Sequence, residues 1–154
     1  MNTNIEIKQL PEMQLVGVNS TGFQNIADSY DKLIKWAAPK GLLSGPSTKM
    51  ATIYHDSART TAHDKVRTSA CLLVNEPLEV EGEISLLTIK PNRCIVAAME
   101  ITMTEFELAW KGLYIWMNNN DHRPSAANPF EIYHNNYQEH PEKKCIVDFC
   151  IPIE

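Results

Sequence analysis

The feature that most constrains the fold is an internal repeat with a period of about 80 residues, roughly half of the chain. Three pairs of segments recur in the same order: residues 10–18 with 90–98, residues 30–36 with 110–116, and residues 52–56 with 131–135. The last pair places Ile53-Tyr54-His55 over Ile132-Tyr133-His134. Agreement in order, and not only in composition, indicates duplication of one folding unit.

Each half shows the same succession of strand and helix patterns. Residues 5–21 and 83–102 are rich in β-forming residues, and each is broken near a proline, which cannot donate to a strand ladder. A helical segment follows in each half, and two further strands close it. These closing strands are predicted at residues 50–55 and 69–75, and at residues 130–135 and 144–153. Each half is therefore predicted to be a β-α-β-β unit.

Apolar residues spaced by three and four positions predict the two helices. The first covers residues 25–40, and Gly41 is placed to end it as a C-cap. The second is expected to begin with a capping box of Thr104 and Glu107 and to end at residues 118–121. Its apolar stripe consists of Phe106, Trp110, Leu113 and Met117.

These elements predict an α+β fold in which two helices pack on one face of an antiparallel sheet. A central cleft is expected between the pseudo-symmetric halves, because ligand sites favour such places. We expect one domain over residues 1–154. It comprises a first repeat of about residues 4–75, an acidic linker at 76–82 and a second repeat of about residues 83–153.

Composition and charge exclude several classes of function. Lys and Arg number 14 against 19 Asp and Glu, which gives a net charge of −5 and a pI of about 5.5. A nucleic-acid-binding domain usually carries a basic patch, so we expect no direct nucleic-acid binding. No apolar run is long enough to span a membrane, and no secretory signal opens the chain. With four cysteines that lack zinc-site spacing, we expect a cytoplasmic protein without disulfides, metals or cofactors.

Glu131 is the candidate functional residue that the sequence singles out. Strand alternation places Glu131 and Tyr133 on one face and Phe130 and Ile132 on the other. If the latter pair faces the core beneath the helices, Glu131 faces the opposite side or the cleft. There it would form a carboxylate among tyrosines, which suits a lipophilic cation. Periodicity alone leaves open a glutamate that points to solvent from an exposed sheet face.

Aromatic residues at helical spacing are usually core residues. By this criterion Trp110 belongs to the core stripe of the second helix. Tyr114 and Trp116 lie off the centre of that stripe, so at least one of them is a candidate for lining a cleft. No P-loop, dinucleotide-binding glycine motif or nucleophile elbow occurs, and a covalent enzyme is not supported.

With these residues, the chain resembles the GyrI-like small-molecule-binding domain, found in stand-alone bacterial proteins and as the effector-binding part of AraC- and MerR-type multidrug regulators. The matching segments are Ile53–Asp56, Lys65–Arg67, Trp110, Pro129–Tyr133 and Asp148–Ile153. The strand Phe-Glu-x-Tyr is the most specific of them. Thr68 and Ser69 depart from the family, which often has tyrosine or cysteine and then aspartate there.

The resemblance implies that Glu131 is the glutamate of a ligand cleft and that Trp110 lies beside it. Tyr133 and Tyr54 match strand positions that reach the pocket, and Tyr114 completes the candidate set. The implied function is binding of amphipathic, cationic or aromatic small molecules for sequestration or effector sensing. Two alternatives stay open: modulation of DNA gyrase, or of another regulator, by protein contact, and hydrolysis of small molecules with Glu131 acting on a water.

Overall fold

The computed structural model describes residues 3–45 and 48–154 and forms eight strands and two α-helices within them. Their bounds are β1 (Thr3–Leu10), β2 (Met13–Thr21), α1 (Ile26–Ala37), β3 (Met50–Tyr54), β4 (Arg67–Val74), β5 (Ile84–Ile89), β6 (Asn92–Thr102), α2 (Phe106–Asn119), β7 (Phe130–Tyr133) and β8 (Lys144–Pro152).

The chain divides into two compact units. The α1 unit comprises Glu12–Lys90, with strand order β3-β4-β2-β5. The α2 unit comprises the N-terminal segment up to Pro11 together with Pro91–Glu154, with strand order β1-β6-β8-β7. Every strand pair within each unit is antiparallel. The predicted α+β class and the duplicated β-α-β-β unit are confirmed, as β2-α1-β3-β4 and β6-α2-β7-β8.

The two prolines predicted to break long strands mark the points where the chain changes unit. Pro11 separates β1, which pairs with β6 of the α2 unit, from β2 of the α1 unit. Pro91 separates β5, which pairs with β2, from β6. Proline lacks the N–H that a continuous ladder requires, so both breaks follow from the residue type.

The duplication extends to individual hydrogen bonds. After β3, the His55 N–H donates to the Arg67 carbonyl at 2.9 Å, and the Asp56 carboxylate accepts the Arg67 N–H at 2.9 Å. After β7, the His134 N–H donates to the Ile146 carbonyl at 2.8 Å, and the side-chain oxygen of Asn135 accepts the Ile146 N–H, also at 2.8 Å. In both units, the dipeptide that follows the shorter strand, His55-Asp56 or His134-Asn135, therefore hydrogen-bonds to the backbone near the start of the neighbouring strand.

The sequence predicted a stop signal at the end of the first helix and a capping box at the start of the second. Gly41 has a left-handed backbone (φ 73°) at the end of the first helical segment, as predicted. The predicted capping box of Thr104 and Glu107 is wrong: the box is formed by Thr102 and Glu105. The Glu105 carboxylate accepts the Thr102 N–H at 3.0 Å, and burial does not offset the resulting fall in the pKa of Glu105.

Each helix covers its own apolar cluster. In the α1 unit, Leu33 and Ala37 of α1 pack on Val16, Val18 and Leu72 of the sheet. In the α2 unit, the fully buried residues of the helix pack on strands β6 and β8. The predicted alternation of the last strand is confirmed, since one face supplies the core residues Cys145, Val147, Phe149 and Ile151.

Candidate functional site

Glu131 lies on the face of the sheet that α2 covers. Strand β7 pairs with β8 so that Glu131 is opposite Phe149 and Tyr133 is opposite Val147, and both partners belong to the cluster beneath α2. The arrangement considered from the sequence, in which Phe130 and Ile132 face the core beneath the helices, is not the one observed, because alternation places them on the other face. The interpretation of Glu131 as a solvent-exposed glutamate is also wrong, because its side chain is only 1% exposed.

Two aromatic side chains hold the buried carboxylate. The indole Nε1–H of Trp110 donates to Glu131 Oε1 at 3.0 Å, and the Tyr133 hydroxyl donates to Oε2 at 2.8 Å. Burial of a carboxylate costs several kcal/mol unless hydrogen bonds or charges compensate. The two donors offset part of this cost by hydrogen bonding, and both of them, the indole and the phenol, are neutral groups.

The charge of Glu131 acts on nearby thiols. Burial raises the pKa of Cys145, and the Glu131 carboxylate raises it further. Cys150 is also raised, first by its contact with Cys94 and by burial, with the carboxylate of Glu131 as a smaller cause. These thiols remain protonated near neutral pH, so they are not nucleophiles in this part of the α2 unit.

Helix α2 presents a row of rings beside the carboxylate. Phe106, Trp110 and Tyr114 recur every four residues, so they lie on one side of the helix. Trp110 stacks on Tyr114 at a centroid distance of 6.0 Å and meets Phe149 edge-on at 5.1 Å. Phe106 also meets Phe149 edge-on, at a centroid distance of 5.2 Å.

On α2, the residues that fill the core and the aromatic residues beside Glu131 occupy adjacent positions. Its fully buried residues are Ala109, Leu113 and Met117. Trp110 lies next to this stripe and is only partly buried, so it is neither a pure core residue nor a surface residue. Of the two aromatic residues predicted off the stripe, Tyr114 joins the row of rings, whereas Trp116 stacks on His122 at 6.1 Å.

Tyr54 belongs to the α1 unit, where its ring meets that of Phe23 at 6.2 Å. In the same unit the hydroxyl of Tyr30 on α1 lies 2.7 Å from the hydroxyl of Thr52 on β3. Thr52 corresponds to Glu131 in the repeat. Both units therefore join an aromatic residue of the helix to the equivalent strand position, with a neutral partner in one and a carboxylate in the other.

Sequence reasoning did not identify Phe149 as part of the site. The alternation of β8 gives the face of Phe149, but its position opposite Glu131 depends on the register between β7 and β8. A pattern within one strand contains no information about that register.

Within residues 3–45 and 48–154, no group of three or more His, Cys, Asp or Glu side chains is placed to hold a metal ion. Within the same residues, neither helix has the length and apolar character needed to cross a membrane.

The architecture and the ring-bound carboxylate define a class: small α+β domains built on a duplicated β-α-β-β unit. The model of the GyrI-like small molecule binding domain family matches residues 3–154, and the chain belongs to this family. The resemblance stated from the sequence is thereby confirmed over nearly the whole chain.

Individual relatives cover most of the chain at low identity. DNA gyrase inhibitor 2 of Dickeya dadantii (strain 3937) is 27% identical over 115 residues, which are 72% of this chain and 71% of that protein. The C-terminal domain of EcmrR has a TM-score of 0.78 and 19% identity, covering 100% of this chain and 99% of that one. In the EcmrR–DNA complex the TM-score is 0.76 at 19% identity, and this chain, 99% of it matched, spans 57% of the EcmrR chain.

A structure of SAV2435 bound to tetraphenylphosphonium has a TM-score of 0.70 and 13% identity, covering 98% of this chain and 94% of that one. At such identities the solved structures show a shared fold. The functional class, small-molecule binding, comes from the family.

Proposed function

We propose that this protein binds amphipathic, lipophilic cations at Glu131, with the rings of Trp110, Tyr114 and Tyr133 as the apolar part of the site. The observation that carries the proposal is a carboxylate that is 1% exposed and held by two neutral aromatic donors. Such a group attracts a cation strongly, because little water screens its charge. The rings add cation–π and apolar contacts that a soft organic cation satisfies.

A ligand reaches the carboxylate by way of the rings that hold it. Trp110, Tyr114 and Tyr133 are only partly buried, unlike Glu131 itself. Aromatic side chains have few rotatable bonds, so they reorient around a ligand at a small entropic cost. The ligand bound to SAV2435 has the chemistry that this arrangement suits: one positive charge surrounded by phenyl rings.

A positive charge bound in this site gains Coulomb energy from the carboxylate. A cation centred about 5 Å from the carboxylate, at an effective dielectric constant of about 20, gains about 3 kcal/mol. Such a free energy corresponds to an affinity change of roughly a hundredfold. Loss of the charge alone should therefore weaken cation binding by between ten- and a hundredfold.

Glu131→Gln tests this charge with little change in shape. The glutamine oxygen can accept from Trp110, which only donates, while its amide nitrogen can donate to the Tyr133 hydroxyl, which can also accept. Both hydrogen bonds thus have a neutral counterpart, so the fold should persist. Glu107→Gln is the matched control: it removes an exposed carboxylate from α2, 3.6 Å from Lys111, without touching the rings.

The experiment is a thermal-shift titration of the three proteins with tetraphenylphosphonium and tetraphenylborate, which share size and shape but differ in charge. Binding to the native state raises the melting temperature by mass action. We expect stabilisation of the wild type and Glu107→Gln by the cation, a clearly smaller stabilisation of Glu131→Gln, and no stabilisation by the anion. Equal stabilisation of Glu131→Gln by the cation contradicts the proposal. Hydrolysable cationic esters that stabilise the protein should then be assayed for turnover, which tests the hydrolase alternative.

DNA gyrase modulation is the second candidate, favoured by the 27% identity to a DNA gyrase inhibitor. The acidic run at residues 76–83 does not form a purely acidic surface. Glu83 lies 2.9 Å from Lys32, and Glu81 lies 3.9 Å from Lys40. An acidic protein surface can act on gyrase by mimicking DNA, and these lysines offset the negative charge that such mimicry requires. A supercoiling assay with purified gyrase tests this candidate, and inhibition at stoichiometric protein would establish it independently of Glu131.

A further inference from the structure

An open cavity of 370 Å³ lies within the α1 unit. It is lined by the ends of β2 and β4, by His55 after β3, and by Leu87 of β5. Asn19 and Thr21 in this lining alternate with Val18, which faces α1, so they lie on the opposite face of the sheet. The volume lies in the range of about 300–1,000 Å³ that small-molecule sites occupy.

A chain of hydrogen bonds orients the side chains at this cavity. The Ser69 hydroxyl donates its single proton to the Asn19 side-chain oxygen at 2.5 Å. His55 Nε2, 2.6 Å from the same hydroxyl, must therefore carry a proton and donate to it. Burial and the nearby Arg67 lower the pKa of His55, which keeps the imidazole neutral at pH 7.

These hydrogen bonds leave the side-chain amide nitrogen of Asn19 available as a donor. Its oxygen is engaged by Ser69, and Asn19 is exposed and lines the cavity. The amide nitrogen, which carries two protons, is the part of the side chain that can meet a ligand. At this position the cavity therefore offers donors and not acceptors.

Arg67 provides a second set of donors in a fixed orientation. Asp56 accepts from its Nε at 2.9 Å and from one Nη at 2.8 Å. These contacts engage two of the five N–H groups that a guanidinium carries, and the others remain for a ligand. The carboxylate partner offsets much of the charge of Arg67, so selectivity for a ligand must come mainly from donor geometry.

We infer that the α1 unit contains a second ligand site, separate from Glu131, that takes small organic carboxylates through the guanidinium of Arg67 and the amide nitrogen of Asn19. A planar carboxylate matches a guanidinium fork and accepts further hydrogen bonds without supplying any donor. Leu87 provides an apolar wall, so a carboxylate on a small ring or short chain fits better than an inorganic anion.

The test uses benzoate, followed by ¹H–¹⁵N spectra of the full chain. Wild-type protein should show saturable shifts at the Arg67 Nη–H groups and the Asn19 side-chain amide. Asn19→Asp is nearly isosteric and still accepts from Ser69, but it replaces the donor with a negative oxygen, so we expect at least a tenfold loss of affinity, or about 1.4 kcal/mol. Arg67→Lys keeps the positive charge and loses the fork, and should also bind more weakly.

Two controls separate this site from general effects. Lys65→Gln removes a nearby exposed positive charge outside the lining residues and should bind benzoate as the wild type does. Glu131→Gln should also bind it normally, because the proposed carboxylate site does not use that residue. The inference is overturned if benzoate shifts do not saturate, if Asn19→Asp binds as well as the wild type, or if benzyl alcohol reproduces the benzoate shifts.

Discussion

Trp110→Phe tests whether the indole N–H stabilises a buried charge or only fills space. The change removes the donor to Glu131 Oε1 and keeps a ring that can still contact Tyr114 and Phe149. A hydrogen bond to a charged group contributes about 1.5–3 kcal/mol, against about 0.5–1.5 kcal/mol for a neutral pair. We therefore expect Trp110→Phe to cost about 2 kcal/mol, which lowers the melting temperature by about 4–8 °C for a chain of this size.

A double-mutant cycle with Glu131→Gln isolates the charged part of this interaction. In the Glu131→Gln background the same hydrogen bond is neutral, so Trp110→Phe should cost about 1 kcal/mol less than in the wild type. Free energies of unfolding from urea titrations, compared at equal m values, supply the four corners of the cycle.

Trp116→Phe is the matched control on the same helix. Trp116 is also partly buried but stacks on His122 instead of holding a carboxylate. Its replacement should cost clearly less, with no coupling to Glu131→Gln. If Trp110→Phe and Trp116→Phe cost the same, or if the coupling at Trp110 is near zero, the carboxylate is not stabilised by the indole as argued.

Three further predictions concern the fold, each measured as a melting temperature or free energy of unfolding. Gly17→Ala should destabilise the protein strongly, because the added methyl group would lie 2.7 Å from a backbone oxygen of the adjacent strand. Gly112→Ala in α2 adds a methyl group that meets nothing within 4 Å, so it should stabilise the protein by up to about 1 kcal/mol. The neighbouring guanidinium, mainly through hydrogen bonding, lowers the pKa of Asp56 from 3.8 to about 2. The stabilising effect of Asp56 is therefore complete above about pH 5 and is lost as the pH falls from there towards 2, so Asp56→Asn should flatten the melting temperature across that window. Thr102→Ala should cost about 1 kcal/mol because it removes a helix cap, and Thr104→Ala should cost clearly less. The reverse order would instead support the capping box of Thr104 and Glu107 that the sequence predicted.

The repeat and the element order could be predicted because both depend on local signals. Prolines at the changes of unit, helical periodicity and a C-cap glycine act within a few residues of where they occur. The capping box could not be placed in the same way, since Thr102 with Glu105 and Thr104 with Glu107 have the same spacing. Strand β6 pairs with β8 as far as Thr102, which lies opposite Lys144. The helical segment begins where this pairing ends, and strand pairing cannot be read from the local sequence.

Glu131 could be singled out from the sequence, but its environment could not. Phe130, Glu131 and Ile132 are all buried, so a four-residue strand gives no signal of which face lies beneath the helix. Pairing with β8 decides this by placing Glu131 opposite Phe149. The donor role of Trp110 depends on the same register and on the packing of α2, both of which lie outside the sequence pattern.

The most direct test of the central claim is to locate a bound cation. Crystals grown with tetraphenylarsonium carry an arsenic atom whose anomalous signal marks the centre of the ligand without reliance on its rings. We expect one dominant peak about 4–7 Å from the Glu131 carboxylate, with phenyl groups against Trp110 and Tyr133. At these separations and an effective dielectric constant of about 20, the Coulomb attraction is about 2–4 kcal/mol. A dominant peak elsewhere on the protein, or none at a saturating concentration, would contradict it.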